Sequence, residues 1–181
     1  GTVPDANIEL AKLYIAGDGV PRDYAAANNL LQGAAALSAA QYHLGFMSSL
    51  GLGTPHDAAA AAPYFLHAAS QGHVDAMYTL GRRYLAGDGV DANANAAYFW
   101  LEAALKYGGG SPGLISFIVQ LIQFDANLAV AQLTPDEQDD VLAAVALWHP
   151  GLPTPYEIQA DYEVRYEIAG AFYGEHYDAY V

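Results

Sequence analysis

The side chains that could bind a metal ion are six histidines and twenty acids, in a chain that has no cysteine. The histidines are His43, His56, His67, His73, His149 and His176. No pair of them has the H-E-x-x-H spacing that places two imidazoles on one helical face, and no thiolate is available to complete a site. We therefore expect no metal site and no cofactor.

The residues that could act as nucleophiles or bases also lack a catalytic arrangement. No serine lies in a G-x-S-x-G elbow. Asp88, Asp91 and Asn93 look superficially like a calcium loop, but the Gly and the final Glu that such a loop requires are missing. Asp139 and Asp140 are most simply a solvated helix face. The sequence therefore favours a protein that is not an enzyme.

The chain is organised around a unit of helix, turn and helix that is clearest from Leu80 to Gly108. Leu80 and Tyr84 are four residues apart, on one face of the first helix. The Gly-Asp-Gly-Val turn at 87–90 ends that helix, because glycine accepts the positive φ that reverses the chain. Asn93 is a good N-cap for the second helix.

The same unit occurs three times, with offsets of 34 and 36 residues between the turns. The glycines of the turns are Gly17, Gly19, Gly51, Gly53, Gly87 and Gly89. Each second helix starts at an N-capping residue, which is Asp23, Asp57 or Asn93. So many matches in one register predict a repeat array, with helix pairs over about 6–39, 40–75 and 76–110.

The repeated pattern is A-x-x-x-L-G-x-x-Y-x-x-G-x-G-V-x-x-D-x-x-x-A-x-x-W-x-x-x-A-A-x-x-G. It closely resembles the Sel1-like repeat, a relative of the tetratricopeptide repeat; the second copy departs from it, lacking the Tyr and carrying Thr54 for Val. The resemblance covers roughly residues 6–108. It implies an all-α fold, a right-handed α/α superhelical solenoid, and a role as an adaptor or scaffold, commonly in bacteria and often exported. It implies no catalytic residue.

Pro63 falls inside the second helix of the middle copy. Proline there removes a hydrogen bond and clashes with the preceding turn. We expect the helix either to kink near 60–62 or to begin late, at Pro63.

Beyond the repeats, residues 111–148 have the pattern of one more helix pair. Ser111-Pro112 is typical of a helix start, and the helix that follows is apolar nearly all round, so we expect it to be buried on two sides. Thr134-Pro135-Asp136-Glu137 is a capping box that starts another helix. We interpret 111–148 as a degenerate pair that caps the array, which makes 1–148 one solenoid.

Residues 149–181 form an acidic, Tyr-rich tail that packs on the solenoid or extends it. Apolar residues from Ile158 to Tyr180 recur at steps of three and four, which predicts a helix. Alternation of charged and apolar residues from Tyr162 to Ile168 is strand-like instead. We favour a helix over 155–169 and leave 170–181 open.

The net charge of −14 disfavours nucleic acid and anionic membranes as partners. No apolar run approaches the roughly 20 residues that a membrane-spanning helix needs, so we expect no membrane insertion. The chain opens with Gly1-Thr2 and looks truncated, so an export signal could have been removed. The compartment, periplasmic or exported against cytoplasmic, and the oligomeric state are left open.

The chain is rich in tyrosine, with fourteen in all. Tyr is a common anchor of protein interfaces, so this composition favours a binding role. The first helices of helix-pair solenoids line the concave face, where Tyr42 and Tyr78 occupy equivalent positions. The predicted partner-binding residues are Tyr42, Tyr78, Arg82, Arg83 and Tyr98. The two arginines could instead pair with Asp75, Asp88 or the tail. We expect a module that binds a partner peptide or helix, and the acidic surface favours a basic partner. An acidic inhibitor or immunity-type protein is the alternative, and an enzyme or metal protein is the alternative from another class.

Overall fold

The computed structural model describes residues 3–108 and 115–155. Within these ranges the chain forms eight α-helices and no strand. The helices are α1 (Val3–Ala16), α2 (Tyr24–Gly33), α3 (Ser38–Leu50), α4 (Ala58–Ser70), α5 (Val74–Ala86), α6 (Ala94–Gly108), α7 (Ile115–Val130) and α8 (Pro135–Leu147). The predicted helix start at Ser111-Pro112 and the predicted tail helix lie outside the described residues.

The first six helices pack as three consecutive pairs, and each pair contacts the next through α2 with α3, α4 with α5, and α6 with α7. This is the predicted all-α solenoid. Every second helix begins where the sequence indicates: the side chains of Asp23, Asp57 and Asn93 each accept a hydrogen bond, at 2.9–3.0 Å, from the backbone N–H three residues on.

The turn inside each pair depends on its two glycines. All six of these glycines have φ between +67° and +78°, the left-handed region that favours glycine. The second glycine is also where neighbouring pairs meet. A Cβ on Gly89 would overlap the main chain of Ala58 at the start of α4, and a Cβ on Gly53 would lie 2.8 Å from Cβ of Tyr24 at the start of α2. A Cβ on Gly19, in the first pair, would have no such neighbour within 4 Å.

Small residues on the first helices let the second helices approach closely. A Cβ on Gly81 would lie 2.7 Å from Cγ of Leu101, and a Cβ on Gly45 would lie 3.0 Å from the Phe65 ring. The largest core cluster runs from α4 to Trp148 at the end of α8. A second cluster joins α1, α2 and α3.

Pro63 lies inside α4, and the predicted late start of that helix is wrong. The helix begins at Ala58 because the Asp57 carboxylate caps it there. Burial of Phe65 and of the alanines around it holds the first turn in place despite the hydrogen bond that Pro63 cannot make. A kink near 60–62 stays a prediction.

Helices α7 and α8 both pack on α6 and make little contact with each other within the described residues. The capping box at the start of α8 is present, since Thr134 and Glu137 bond reciprocally. The predicted burial of α7 is confirmed on one side, and on the other side it stays a prediction, because the described residues leave that side partly exposed. Ile122, Ala126 and Ala129 are buried, while the opposite face carries large apolar side chains that are exposed.

Candidate interaction surface

The outward sides of the first helices carry side chains at equivalent positions of successive repeats. On α5 the buried residues include Ala76 and Leu80, and the side chains that face away from them include Tyr78 and Arg82. We call this surface the first-helix face and define it by Lys12 on α1, Tyr42, His43 and Phe46 on α3, and Tyr78 and Arg82 on α5. Arg82 and Phe46 occupy equivalent positions, 36 residues apart.

Tyr42 joins the second helix pair to the third. Its ring stacks on the His73 imidazole, with centroids 4.7 Å apart and 16° between the planes. It also meets the Phe65 ring edge-on at 5.8 Å. Partial burial, and then the nearby charge of Asp75, raise the pKa of the Tyr42 hydroxyl. Tyr42 is therefore a half-buried aromatic group held in a fixed orientation.

Tyr78 and Arg82 both contact the carboxylate of Asp125 on α7. The Tyr78 hydroxyl donates a hydrogen bond to Oδ2 of Asp125 at 3.0 Å, and Nε of Arg82 lies 3.5 Å from the same oxygen. Burial, followed by the hydrogen bond and the charge of Asp125, raises the pKa of Tyr78. The Arg82 side chain stays 63% exposed despite this ion pair, so it remains accessible to a partner.

Arg83, which the sequence grouped with Arg82, lies on the other side of α5 and is only 8% exposed. Its Nη1 donates to the carbonyl oxygens of Ala58 at 3.3 Å and Asp88 at 3.0 Å. The guanidinium lies 4.9 Å from the Phe65 ring centroid, and burial lowers its pKa. Arg83 therefore joins the third turn to α4, and the structure does not bring it to the first-helix face.

Tyr98 is likewise apart from the first-helix face. It is a buried member of the core cluster on α6. Burial, and then the charge of Glu102, raise the pKa of its hydroxyl. Of the five residues predicted to bind a partner, the structure thus brings together Tyr42, Tyr78 and Arg82. The helical register could have indicated that Arg83 is buried, because it lies three residues after Leu80 and so on the same side of α5.

Sequence reasoning missed two histidines: His43, on the first-helix face, and His73, which stacks on Tyr42. The Nδ1 atom of His73 accepts a hydrogen bond from the Ala76 N–H at 3.3 Å and so caps α5. Burial lowers the pKa of both His73 and His43. The position of His73 directly before α5 was the available indication, but histidine is not among the usual N-capping residues.

Within residues 3–108 and 115–155, no three His, Asp or Glu side chains are grouped so that they could hold a metal ion. In the same part of the chain, no helix has both the length and the apolar character that crossing a bilayer requires.

The segments of this chain that match a known family coincide with its three repeats. The family model of the Sel1 repeat matches residues 4–38, 38–73 and 74–106. A Sel1 repeat protein from Oxalobacter formigenes is similar in structure, with 32% identity and a TM-score of 0.54 over 65% of this chain and 87% of that chain. A protective antigen present in uropathogenic Escherichia coli strains, which displays an SLR fold, has 21% identity and a TM-score of 0.50 over 77% of this chain and 36% of that chain; it shows the fold alone. No curated protein matches the chain.

Proposed function

The chain belongs to the Sel1 repeat family, and from that premise we propose that it is a protein-binding module that holds a partner peptide or helix on the first-helix face. The observation that carries the proposal is the row of aromatic and cationic side chains at equivalent positions of successive first helices. Phe46 and Arg82 are the exposed members of that row, and Tyr42 and Tyr78 are the half-buried ones.

The row has the composition of an interface centre, where Tyr, Phe and Arg are enriched. The first-helix face belongs to three successive helix pairs, so a partner that contacts all of it crosses at least two helix widths, on the order of 20 Å. An extended segment rises about 3.3 Å per residue, and about six of its residues would cross that distance. The surface therefore suits a short linear segment or one helix better than a small molecule.

Charge favours a partner of basic character. The whole chain has a net charge of −14, which attracts a cationic protein during encounter. At the surface itself, Lys12 is paired with Glu9 at 3.0 Å and Arg82 with Asp125. A partner carboxylate could compete with Asp125 for Arg82, so we propose a basic segment that contains an apolar anchor and one acidic residue.

Selection of peptides from a random display library on the purified chain tests this proposal without a known partner. Phe46→Ala and Arg82→Ala should each lower the affinity for the selected peptides by about tenfold or more, since truncation of an interface anchor costs at least about 1.4 kcal/mol of binding free energy. Arg82 is 63% exposed, so Arg82→Ala should change the free energy of unfolding by less than about 1 kcal/mol. Phe46 is only 38% exposed, so Phe46→Ala should cost about 1–2 kcal/mol and leave the chain folded.

Gln32→Ala, an exposed position on α2, is the matched control and should leave peptide affinity unchanged. Peptides that lose affinity with Gln32→Ala and keep it with Phe46→Ala and Arg82→Ala would contradict the proposal.

A further inference from the structure

One face of α7 is apolar and partly exposed among the described residues. Four large side chains spaced by four, three and four residues form this face: Phe117 is 69% exposed, Leu121 38%, Phe124 61% and Leu128 47%. We call these four residues the α7 stripe. They lie opposite Ile122 and Ala129, which are buried.

A stripe of this kind is unusual at the end of a helix stack. Each repeat buries its apolar face against the next one, and the terminal element needs a polar outer face for solubility. The α7 stripe is apolar where that polar face is expected. Helix α8 does not cover it, because α8 packs on α6. An exposed contiguous apolar surface marks a site of contact with another segment or molecule.

The 26 residues from 156 to 181 supply a segment of matching chemistry. Five of their apolar side chains fall on one side of a helical wheel: Ile158, Tyr162, Tyr166, Ala169 and Tyr173. Glu163 and Glu167 fall on the opposite side. A helix with these two sides would cover an apolar surface and present carboxylates to water, as a terminal cap does.

The lengths of the tail and of the α7 stripe match, and the tail leaves the described chain within reach of α7. At 1.5 Å per residue the α7 stripe is about 17 Å long, and the apolar side of the tail from Ile158 to Tyr173 is about 22 Å long. The chain before the tail is anchored near α4, where the Gly151 N–H donates to the Ser70 carbonyl at 2.7 Å. The chain stays beside α4 through Thr154, and α7 lies on the order of 20 Å away, the width of two packed helices. About six extended residues cross that distance, which leaves Tyr162, Tyr166, Ala169 and Tyr173 to contact the stripe.

We propose that residues 156–181 fold onto the α7 stripe and close the solenoid, with the tyrosines inward and the acids outward. Tethering gives the tail an effective concentration in the millimolar range, far above that of a second copy at micromolar concentration. The apolar character of the stripe also favours it over the first-helix face, where Lys12 and Arg82 are engaged in ion pairs.

Disulfide trapping in the full chain tests the proposal. The chain has no native cysteine, so only the introduced cysteines can form a disulfide. Phe124→Cys is combined in turn with Tyr162→Cys, Tyr166→Cys or Tyr173→Cys, and each purified variant is oxidised at low concentration. At least one combination should form a disulfide within a single chain. The matched control places the partner cysteine at Phe46→Cys, on the first-helix face, and should form none.

Three results would overturn the proposal. Trapping with Phe46→Cys and not with Phe124→Cys would place the tail on the first-helix face. A disulfide between two differently tagged chains would assign the α7 stripe to a second copy. The absence of a disulfide in all three combinations would show that the tail does not reach the stripe.

Hydrogen exchange of the full chain gives an independent readout. Phe117→Gln together with Phe124→Gln changes only exposed side chains of α7 and leaves the described core intact. Exchange of the amides in 156–181 should then rise at least tenfold, while exchange in α5 and α6 should stay as it was. Unchanged exchange in 156–181 would overturn the proposal.

Discussion

The Tyr78 hydroxyl donates a 3.0 Å hydrogen bond to the Asp125 carboxylate, and so joins α5 to a residue 47 positions further along the chain. Arg82 contacts the same carboxylate through Nε. The packing of α7 on the third helix pair therefore includes a polar contact at the border of the first-helix face. A partner that binds Tyr78 or Arg82 would compete with their contacts to Asp125.

Removing the Tyr78 hydroxyl should cost about 1 kcal/mol in the free energy of unfolding, the usual net value of one hydrogen bond. Urea denaturation of Tyr78→Phe, Asp125→Ala and the double variant measures the coupling between the two side chains. We expect a coupling of about 0.5–1.5 kcal/mol. Additive effects of the two substitutions would show that the hydrogen bond contributes nothing to stability.

The adjacent arginines should respond differently to the same substitution. Arg83→Met leaves the carbonyl oxygens of Ala58 and Asp88 without their donor, and should lower the free energy of unfolding by about 1–3 kcal/mol. Arg82→Met removes an ion pair whose arginine is exposed, and Asp125 keeps the hydrogen bond from Tyr78, so the loss should be less than about 1 kcal/mol. Equal losses in thermal denaturation would mean that burial of Arg83 does not matter to the fold.

Gly89→Ala and Gly19→Ala separate backbone strain from contact between repeats. Both glycines have φ near +70°, so alanine at either position should cost about 1 kcal/mol in conformational strain. Only at Gly89 does the new Cβ also overlap the main chain of Ala58, which should add about 1–3 kcal/mol. Chemical denaturation of the two variants measures the difference; a Gly19→Ala loss as large as that of Gly89→Ala would refute it.

Stability should decline as the pH falls from about 7 to 5. Burial lowers the pKa of His73 in the folded chain, so below the usual value of 6.5 the unfolded chain binds a proton that the folded chain does not. Protonation of Nδ1 would also remove the acceptor of the Ala76 N–H. Denaturation midpoints at several pH values measure the decline.

His73→Asn is the informative variant for this pH dependence, because asparagine still caps a helix and does not titrate in that range. The decline between pH 7 and pH 5 should be smaller in it, with the remainder due in part to His43, whose pKa burial also lowers. An unchanged decline would mean that His73 is not one of the groups responsible.

The solenoid could be predicted because its determinants are local and repeated. Gly87 and Gly89 mark a turn, and Asn93 marks the next helix start, within a few residues of each other. The start of α4 was predicted wrongly at Pro63, since the Asp57 cap and the burial of Phe65 outweigh the local cost of proline. The neighbours of α7 could not be predicted, because a helix that is apolar on all sides does not by itself show which segment packs on each side.

The surface was harder to predict, because its contacts join distant residues. Tyr42 and Tyr78 could be placed on one face by their equivalent positions in the repeat. The contact of Tyr78 with Asp125 could not be predicted, since it depends on how α7 lies against α5. Arg83 differs from Arg82 only by its register on α5, which a pattern of adjacent bases does not reveal.

The contact between the second turn glycine and the preceding second helix has a consequence for how this architecture varies. Adjacent repeats touch there through main chain, at Gly89 against Ala58. The separation of the second and third units at this junction is thereby limited by main-chain atoms. Exchange of side chains on the first-helix face should leave this junction in place, whereas any side chain at position 89 would push α4 away from the turn.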